Sequence, residues 1–283
     1  MGAGDIAISP FSTLLEAYDV TVRIEADNEK IFEQVKAICR EAFVGRLRFI
    51  DPGRANTGMY YRFSTLSDGK VEYDLDGVLS GTFKEGEGFA RFLNSMIRAH
   101  VAGKSRSWVF IHAGVVEWRG KALIVPGQSR HGKTTLVSEL IRAGAGYMSD
   151  EFAILDECGL VHPFDRDLAV RVAPDLGPVN ISPYEFGGRR VTNPIEAGLV
   201  VFTRFVNNGA WKPETLTAGQ GILEAVPQVI PFSFNTEFAL KVLNTTFNRA
   251  IIVRSDRGEA KDTAPKILEY FDESLKTGTE ALA

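Results

Sequence analysis

The first hundred residues alternate between strand-like and helix-like patterns. Residues 18–24 (YDVTVRI) alternate between apolar and polar positions, which is typical of a strand with one buried face. A run of apolar residues at helical spacing follows Asp27, which is a suitable N-cap. Two strand-like runs flank a turn signal at 67–69, and residues 87–102 form a second amphipathic helical pattern. These elements predict a small α+β domain at 1–102.

A second set of strands and helices follows the short polar stretch GKSRS. The predicted elements are strands around a turn at 119–121, a helix at 133–144, strands near 147–155 and 198–203, and a C-terminal helix at 262–272. An alternation of strand, helix and strand favours a mainly parallel sheet. The sequence therefore predicts a second domain at 103–283, of the α/β class.

Composition narrows the class of protein. The chain has 283 residues, is 45% hydrophobic and carries a net charge of −4 at pH 7. It can bury a core, and it lacks the basic surplus of nucleic-acid-binding proteins. Cys39 and Cys158 stand far apart and fit no metal-ligand spacing, which favours a reducing compartment. Because no signal pattern or long apolar run is visible, we expect a cytoplasmic protein with no nucleic-acid or membrane partner, and we leave a homo-oligomer open.

Residues 127–134 match the phosphate-binding loop pattern G-x-x-x-x-G-K-[ST] at every position. Glycines let the backbone wrap closely, so that successive N–H groups face an anion, and a helix starting there adds the positive end of its dipole. The lysine neutralises phosphate oxygens, and the hydroxyl of Thr134 completes a Mg²⁺ shell. We therefore expect ATP and Mg²⁺ as ligands. The predicted nucleotide-binding residues are Gly127, Gln128, Ser129, Arg130, His131, Gly132, Lys133, Thr134 and Thr135.

Two other classes of phosphate-loop protein fit the sequence less well. GTP-specific proteins need an N-K-x-D segment to hold guanine, and this tetrapeptide does not occur. The segment LTAGQ at 216–220 imitates the signature of ABC ATPases, but no apolar run ending in Asp-Glu follows it. We interpret residues 216–220 as an ordinary loop.

Acidic residues follow the predicted helix of the phosphate loop. Asp150 and Glu151 stand at the end of a short predicted strand, where successive side chains point to opposite faces unless the strand ends. Asp156, at the end of the apolar run FAILD, is an alternative magnesium ligand. All three residues also fit solvated strand ends.

The segment around the loop resembles a known family. The run FIHAGVVEWRGKALIVPGQSRHGKTTLVSELIRAGAGYMSDEFAIL, with HPFDRDLAVR behind it, is similar to the catalytic core of HPr kinase/phosphorylase and its shorter relatives, which include proteins that modify peptides in bacterial biosynthetic clusters. The resemblance covers roughly residues 110–175. It includes, in this order along the chain, a strand with His112, a hairpin, the loop, a helix, and two adjacent acids. It implies a P-loop kinase core of the HPr kinase/phosphoenolpyruvate carboxykinase type, with a smaller N-terminal α+β domain.

The resemblance also implies a reaction, the transfer of the γ-phosphoryl group from ATP to a hydroxyl, a serine in preference, of a protein or peptide. Positioning and charge stabilisation dominate such a transfer. By the resemblance, Asp150 accepts the hydroxyl proton, Lys133 stabilises the transferred charge, and Glu151 assists Thr134 with the metal. His112 is implied to hydrogen-bond a carboxylate, and it fits a partly buried strand histidine equally well.

The chain departs from the family in places. The family commonly has Asp-Asp where this chain has Asp150-Glu151. No match to the phosphorylase-associated motif follows, so the reverse reaction is not predicted. The N-terminal unit does not match that of the sugar-regulation enzyme, so HPr is not the preferred acceptor. Two alternatives stay open: a small-molecule kinase on the same core, and a regulatory module that binds ATP without transferring phosphate.

Three further hypotheses concern residues outside these motifs. Arg189 or Arg190 either closes over the phosphates or belongs to a solvated surface loop. His162, before a proline, is predicted to be structural. The strands around the turn at 67–69 are expected to offer an edge to which an extended peptide adds as a further strand.

Overall fold

A computed structural model describes residues 11–51, 59–84, 86–127, 132–171, 177–230 and 234–280. The protein is a mixed α/β chain, with large sheets and helices that cover them. It divides into two compact units, Met1–Ser105 and Arg106–Ala283. In the part of the chain that the structure describes, no helix combines the length and the apolar character needed to cross a bilayer.

The N-terminal unit is one sheet with two helices. Its strands are β1 (Phe11–Ala17), β2 (Val20–Ala26), β3 (Leu47–Ile50), β4 (Tyr60–Thr65), β5 (Lys70–Leu75) and β6 (Val78–Lys84), and its helices are α1 (Glu29–Ala42) and α2 (Glu87–Lys104). The strand order is β3-β1-β2-β4-β5-β6. The predicted strand at 18–24, the two helices and the hairpin at 67–69 are therefore present, and β1 is an element that the sequence did not predict.

Two expectations about this unit are wrong in detail. Asn28, not Asp27, caps α1, because its side chain accepts a hydrogen bond of 3.0 Å from the Ile31 amide. Asp27 instead accepts one of 2.6 Å from the Thr65 amide and so ties the helix start to β4. The strands that flank the turn at 67–69 are β4 and β5, and each has a neighbour on both sides, so neither is a free edge for a peptide.

The C-terminal unit contains a larger sheet, a separate two-stranded sheet, four α-helices and two short 3-10 helices among its described residues. Its strands are β7 (Val109–Trp118), β8 (Lys121–Pro126), β9 (Gly146–Ser149), β10 (Phe152–Leu155), β11 (Leu160–His162), β12 (Leu168–Val170), β13 (Val179–Ile181), β14 (Ile195–Phe205), β15 (Glu214–Thr215), β16 (Val229–Ile230) and β17 (Ile251–Arg257), and its helices are α3 (Lys133–Arg142), α4 (Ala218–Ala225), α5 (Thr236–Phe247) and α6 (Ala260–Glu280). The sheet runs in the order β11-β10-β7-β8-β14-β17-β15, with β9 and β16 also paired to β7.

The expectation of a mainly parallel sheet is wrong. Among the described strands of this sheet, β14 is parallel to β8 and to β17, whereas the other pairings are antiparallel. The cause is local. Strands β7 and β8 form a tight hairpin, and the chain after α3 returns through short strands joined by tight turns, which pair antiparallel with β7.

Successive side chains on the central strands face two separate hydrophobic cores, one on each face of the sheet. On β8, Leu123 faces a core shared with α3 and α6, and Ile124 faces a core shared with α4 and α5. Both faces of the sheet are thus buried, which is why these strands read as continuous apolar runs.

The segment at 216–220 is not an ordinary loop. Thr217 caps α4 through a capping box, in which its hydroxyl accepts from the Gln220 amide and the Gln220 side chain accepts from the Thr217 amide. It therefore begins a helix.

Candidate functional site

The β7–β8 hairpin delivers the chain to the predicted phosphate loop. Strand β8 ends at Pro126, and the Gly127 amide donates a hydrogen bond of 3.1 Å to the His112 carbonyl, which fixes the loop's first residue to β7. The loop positions Gln128, Ser129, Arg130 and His131 lie outside the described residues. The chain re-enters the described part at Gly132, which precedes α3.

Gly132 and Lys133 start α3 in a constrained geometry. Gly132 has φ of 75°, a left-handed conformation that glycine adopts without strain. Lys133 is only 8% exposed. Its Cγ and Cδ lie 3.7 Å from the position that a Cβ on Gly127 would occupy, so the lysine stem folds back over the loop's first residue. The two ends of the loop thus meet around this side chain.

Lys133 lies in the electric field of two acids. Burial lowers the pKa of Lys133 to about 8, while the negative charges of Asp150 and Glu151 act in the opposite direction. At neutral pH the ammonium is therefore mostly charged. The cation is held in a partly desolvated position, where its attraction for an anion is stronger than in water.

The two acids occupy a turn, because β9 ends one residue earlier, at Ser149. The fully buried Ser149 hydroxyl accepts hydrogen bonds from the amides of Glu151 (3.1 Å) and Phe152 (3.0 Å). This local bonding is the hydroxyl-backbone turn that serine favours. The strict alternation of a strand therefore no longer applies to Asp150 and Glu151, and both act on Lys133.

Each acid also has a partner within the protein. An Asp150 carboxylate oxygen accepts a hydrogen bond of 3.2 Å from the Ala169 amide, and Glu151 forms an ion pair of 2.7 Å with Arg166. The Glu151 carbonyl accepts 3.1 Å from the Ala113 amide. Adjacent residues of β7 therefore hold both the start of the loop and the acidic turn.

His112 lies on this same stretch of β7. Burial, with a smaller contribution from the Lys133 charge, lowers the pKa of His112 to about 4, so the imidazole is neutral at pH 7. Its ring lies 6.4 Å from the Phe152 ring between centroids. Within the described ranges, no hydrogen bond joins it to a carboxylate. The implied histidine–carboxylate pair is thus not formed here.

Two residues that the sequence did not single out support the loop. A Cβ added at Gly114 would lie 2.4 Å from Val137 Cγ2, so the glycine allows α3 to pack directly on β7. Arg257, at the end of β17, is 3% exposed and donates to the carbonyls of Gly132 (3.1 Å) and Gly258 (3.0 Å). The sequence feature that could have indicated Arg257 is its position as the last residue of the strand IIVRSDR.

Other candidates lie elsewhere or are already engaged. Asp156 is at the opposite end of β10 from Glu151, and this four-residue strand of about 13 Å separates them. It accepts hydrogen bonds from the amides of Cys158 (3.0 Å) and Leu160 (2.9 Å) and lies 2.8 Å from His162 Nε2. The structure therefore gives Asp156 and His162 roles in a turn, which speaks against Asp156 as a magnesium ligand.

The two loop arginines pair with carboxylates. Arg189 bonds Glu117, and Arg190 bonds both Asp165 and Asp167. Arg189 is exposed and Arg190 half-buried. Both arginines thus stabilise the segment beside β9, which is not a freely solvated loop.

The predicted metal ligands belong to the same edge of the sheet. Thr134 follows Lys133 in the first turn of α3, and Glu151 is in the acidic turn. Among the described residues, no three His, Cys, Asp or Glu side chains cluster as a ready-made metal site. Thr134 and Glu151 are oxygen donors, which Mg²⁺ prefers when phosphates supply the remaining ligands.

No protein-family model matches the sequence, and no curated protein matches it. Among solved structures, the chain is similar to the HPr(Ser) kinase/phosphatase from Coxiella burnetii, with 14% identity over 60% of this chain and 98% of that one. The TM-score is 0.32, so the likeness is distant.

Proposed function

We propose that this protein is an ATP-dependent kinase of the HPr-kinase-like type that phosphorylates a hydroxyl, a serine in preference, of a protein or peptide. One observation carries the proposal. Lys133, at the start of α3, folds its stem over Gly127, and the adjacent β7 residues His112 and Ala113 hold Gly127 and the turn of Asp150 and Glu151 side by side. This is the combination that phosphoryl transfer needs: a cation for the phosphates, and a carboxylate for the incoming hydroxyl.

The phosphates belong at the start of α3. The first amides of a helix have no intrahelical acceptor, and the helix dipole places partial positive charge there. Lys133 adds a full charge beside Gly127. Arg257 adds a second cation, which donates a hydrogen bond to the Gly132 carbonyl at the start of α3. Two positive side chains thus lie close to the proposed phosphate position.

The proposed step transfers the γ-phosphoryl group from ATP to the acceptor hydroxyl. The bond between the γ-phosphorus and the bridging oxygen breaks, and its electron pair stays on ADP. A new bond forms from the acceptor hydroxyl oxygen to the phosphorus, and the hydroxyl proton passes to the Asp150 carboxylate. The Ala169 amide holds Asp150 in place for this role, as Arg166 does for Glu151.

A magnesium ion fits the edge of the sheet where α3 begins and the turn of Asp150 and Glu151 lies. Thr134 and Glu151 would hold the ion, which would neutralise charge on the phosphate oxygens. The His112 ring, neutral at pH 7, adds no competing positive charge to the acidic turn.

The test is to incubate the protein with γ-labelled ATP, Mg²⁺ and host lysate and to identify the labelled acceptor. We expect Asp150→Asn to keep its ATP affinity and to lose transfer by about 10²–10⁴-fold, since it removes the proton acceptor. The matched control is Asp262→Asn, on the exposed face of α6, which should transfer at the wild-type rate.

Other outcomes point to the alternatives. Label that appears in small molecules and not in protein would make the protein a small-molecule kinase. If Asp150→Asn performs normally in the host and no acceptor is labelled, the protein is a regulatory module that binds ATP without chemistry.

A further inference from the structure

A cavity opens on the side of β8 away from the acids. Its volume is about 640 Å³, within the usual range for small-molecule sites. It begins at Pro126 and Gly127 and continues along the ends of β14 and β17, at Phe202–Arg204 and Arg254–Asp256. Since β8, β14 and β17 are mutually parallel, it lies at the carboxyl ends of three parallel strands, where ligands of open α/β sheets bind.

Strand order fixes the relation between the cavity and the acidic turn. On one side of β8 lies β7. Strands β9 and β10 both pair with β7, and the turn between them contains Asp150 and Glu151. In the other direction come β14 and β17, whose ends line the cavity. Both regions border Gly127. A nucleotide with its terminal phosphate toward the acids therefore has its nucleoside on the cavity side.

The charged side chains of the cavity largely neutralise one another. Arg204 pairs with Asp256 at 2.8 Å. Arg254 pairs with Glu214 at 3.1 Å and with Glu224 at 3.2 Å. A lining of this kind offers no net charge to an anionic ligand, and it suits a neutral group that has polar edges.

The remaining lining has the mixed character that a base and a sugar require. Pro126 and Phe202 supply apolar surface, and the Gln228 side-chain amide offers both donors and an acceptor. Lys212 adds one further cation at an exposed position.

We propose that this cavity binds the base and ribose of the nucleotide whose phosphates lie at Lys133. The inference rests on the proposed function, and it assigns the acceptor to the opposite side, by the acidic turn. The cavity then sets nucleotide preference, whereas Lys133 binds any triphosphate equally.

The test compares ATP, which has a nucleoside, with inorganic tripolyphosphate, which has none, by calorimetry on the full chain. Gln228→Trp fills the cavity and should weaken ATP binding at least about tenfold while changing tripolyphosphate affinity by less than about twofold. Leu223→Trp places the same bulk on an exposed position of α4 outside the cavity lining, and should change neither affinity. Tripolyphosphate binding also reports whether each variant is folded.

Each other result has a definite meaning. If Gln228→Trp loses both ligands, Lys212→Trp, at the exposed rim, provides the same comparison. Unchanged ATP affinity in both tryptophan variants overturns the inference, and a raised KM for the acceptor instead would make the cavity the acceptor site. Lys133→Met separates the two proposals. If it weakens neither ligand, the proposed function fails, whereas loss of both with no effect of the tryptophans removes only the cavity assignment.

Discussion

Strand β8 has two sides that differ in both topology and chemistry. Toward β7 the pairing is antiparallel, and the nearby turn brings Asp150 and Glu151 into the field of the buried Lys133. Toward β14 the pairing is parallel, and the strand ends open into a cavity whose ion pairs cancel one another. Both sides begin at Gly127.

The difference follows from how strands are connected. Antiparallel strands are joined by tight turns, and a tight turn projects adjacent side chains such as Asp150 and Glu151 into one place. Parallel strands are joined by longer crossovers, so their carboxyl ends leave space between them. One side is thus suited to concentrating charge, and the other to enclosing a molecule.

The largest expected effect comes from removing the cation of the acidic side. Lys133→Met should cost about 3 kcal/mol of transition-state stabilisation, or about a hundredfold in transfer rate, because it removes a preorganised charge from the phosphates. Steady-state transfer measures the effect, and Lys266→Met, exposed on α6, is the matched control. A wild-type transfer rate in Lys133→Met would contradict the assignment of the phosphates to the acidic side.

A smaller effect is expected where α3 rests on β7. Gly114→Ala brings a methyl group within 2.4 Å of Val137 Cγ2, and should lower the free energy of unfolding by about 1–3 kcal/mol. The second change Val137→Ala should restore part of this loss, because it removes the clashing methyl.

Urea unfolding measures both variants. Gly219→Ala, on α4 with open space around its Cβ position, is the control and should not be destabilised. If Gly114→Ala is as stable as the wild type, or if Val137→Ala adds its own loss in full, close packing of α3 does not hold the acidic side together.

A third effect is a pH dependence confined to the acidic side, which is small near neutral pH. The free protein loses the Lys133 charge as pH rises through its lowered pKa of about 8, whereas bound phosphate favours the charged form. Binding of tripolyphosphate then takes up a proton, and its dissociation constant should rise by up to about tenfold per pH unit above 8. Calorimetry from pH 7 to 10 measures this rise.

Two comparisons sharpen the result. Lys133→Met should show no such slope, and adenosine, which lacks phosphate, should bind with the same affinity across the range. A flat tripolyphosphate profile in the wild type would mean that Lys133 is not the phosphate cation.

Several elements could be predicted because their signals are local. The β7–β8 hairpin, the start of α3 at Lys133 and the hairpin at 67–69 each depend on residues within a few positions. The sheet's pairing could not be predicted, since a strand–helix–strand pattern does not state which neighbour the returning strand selects. For the same reason the sequence predicts edge strands around the turn at 67–69, whereas in the structure β2 pairs with β4 and β6 pairs with β5.

The sequence alone determined the loop pattern, the order of strand, loop, helix and acids, and the apolar runs of a doubly covered sheet. The tertiary structure decided that Asp150 and Glu151 both act on Lys133, that Asp156 and Arg190 are committed to other partners, and that Gly114 and Arg257 support α3. The physical reason is distance along the chain. Backbone preferences act over a few residues, whereas burial, ion pairing and close packing depend on groups as far apart as Gly132 and Arg257, which only the folded chain brings together.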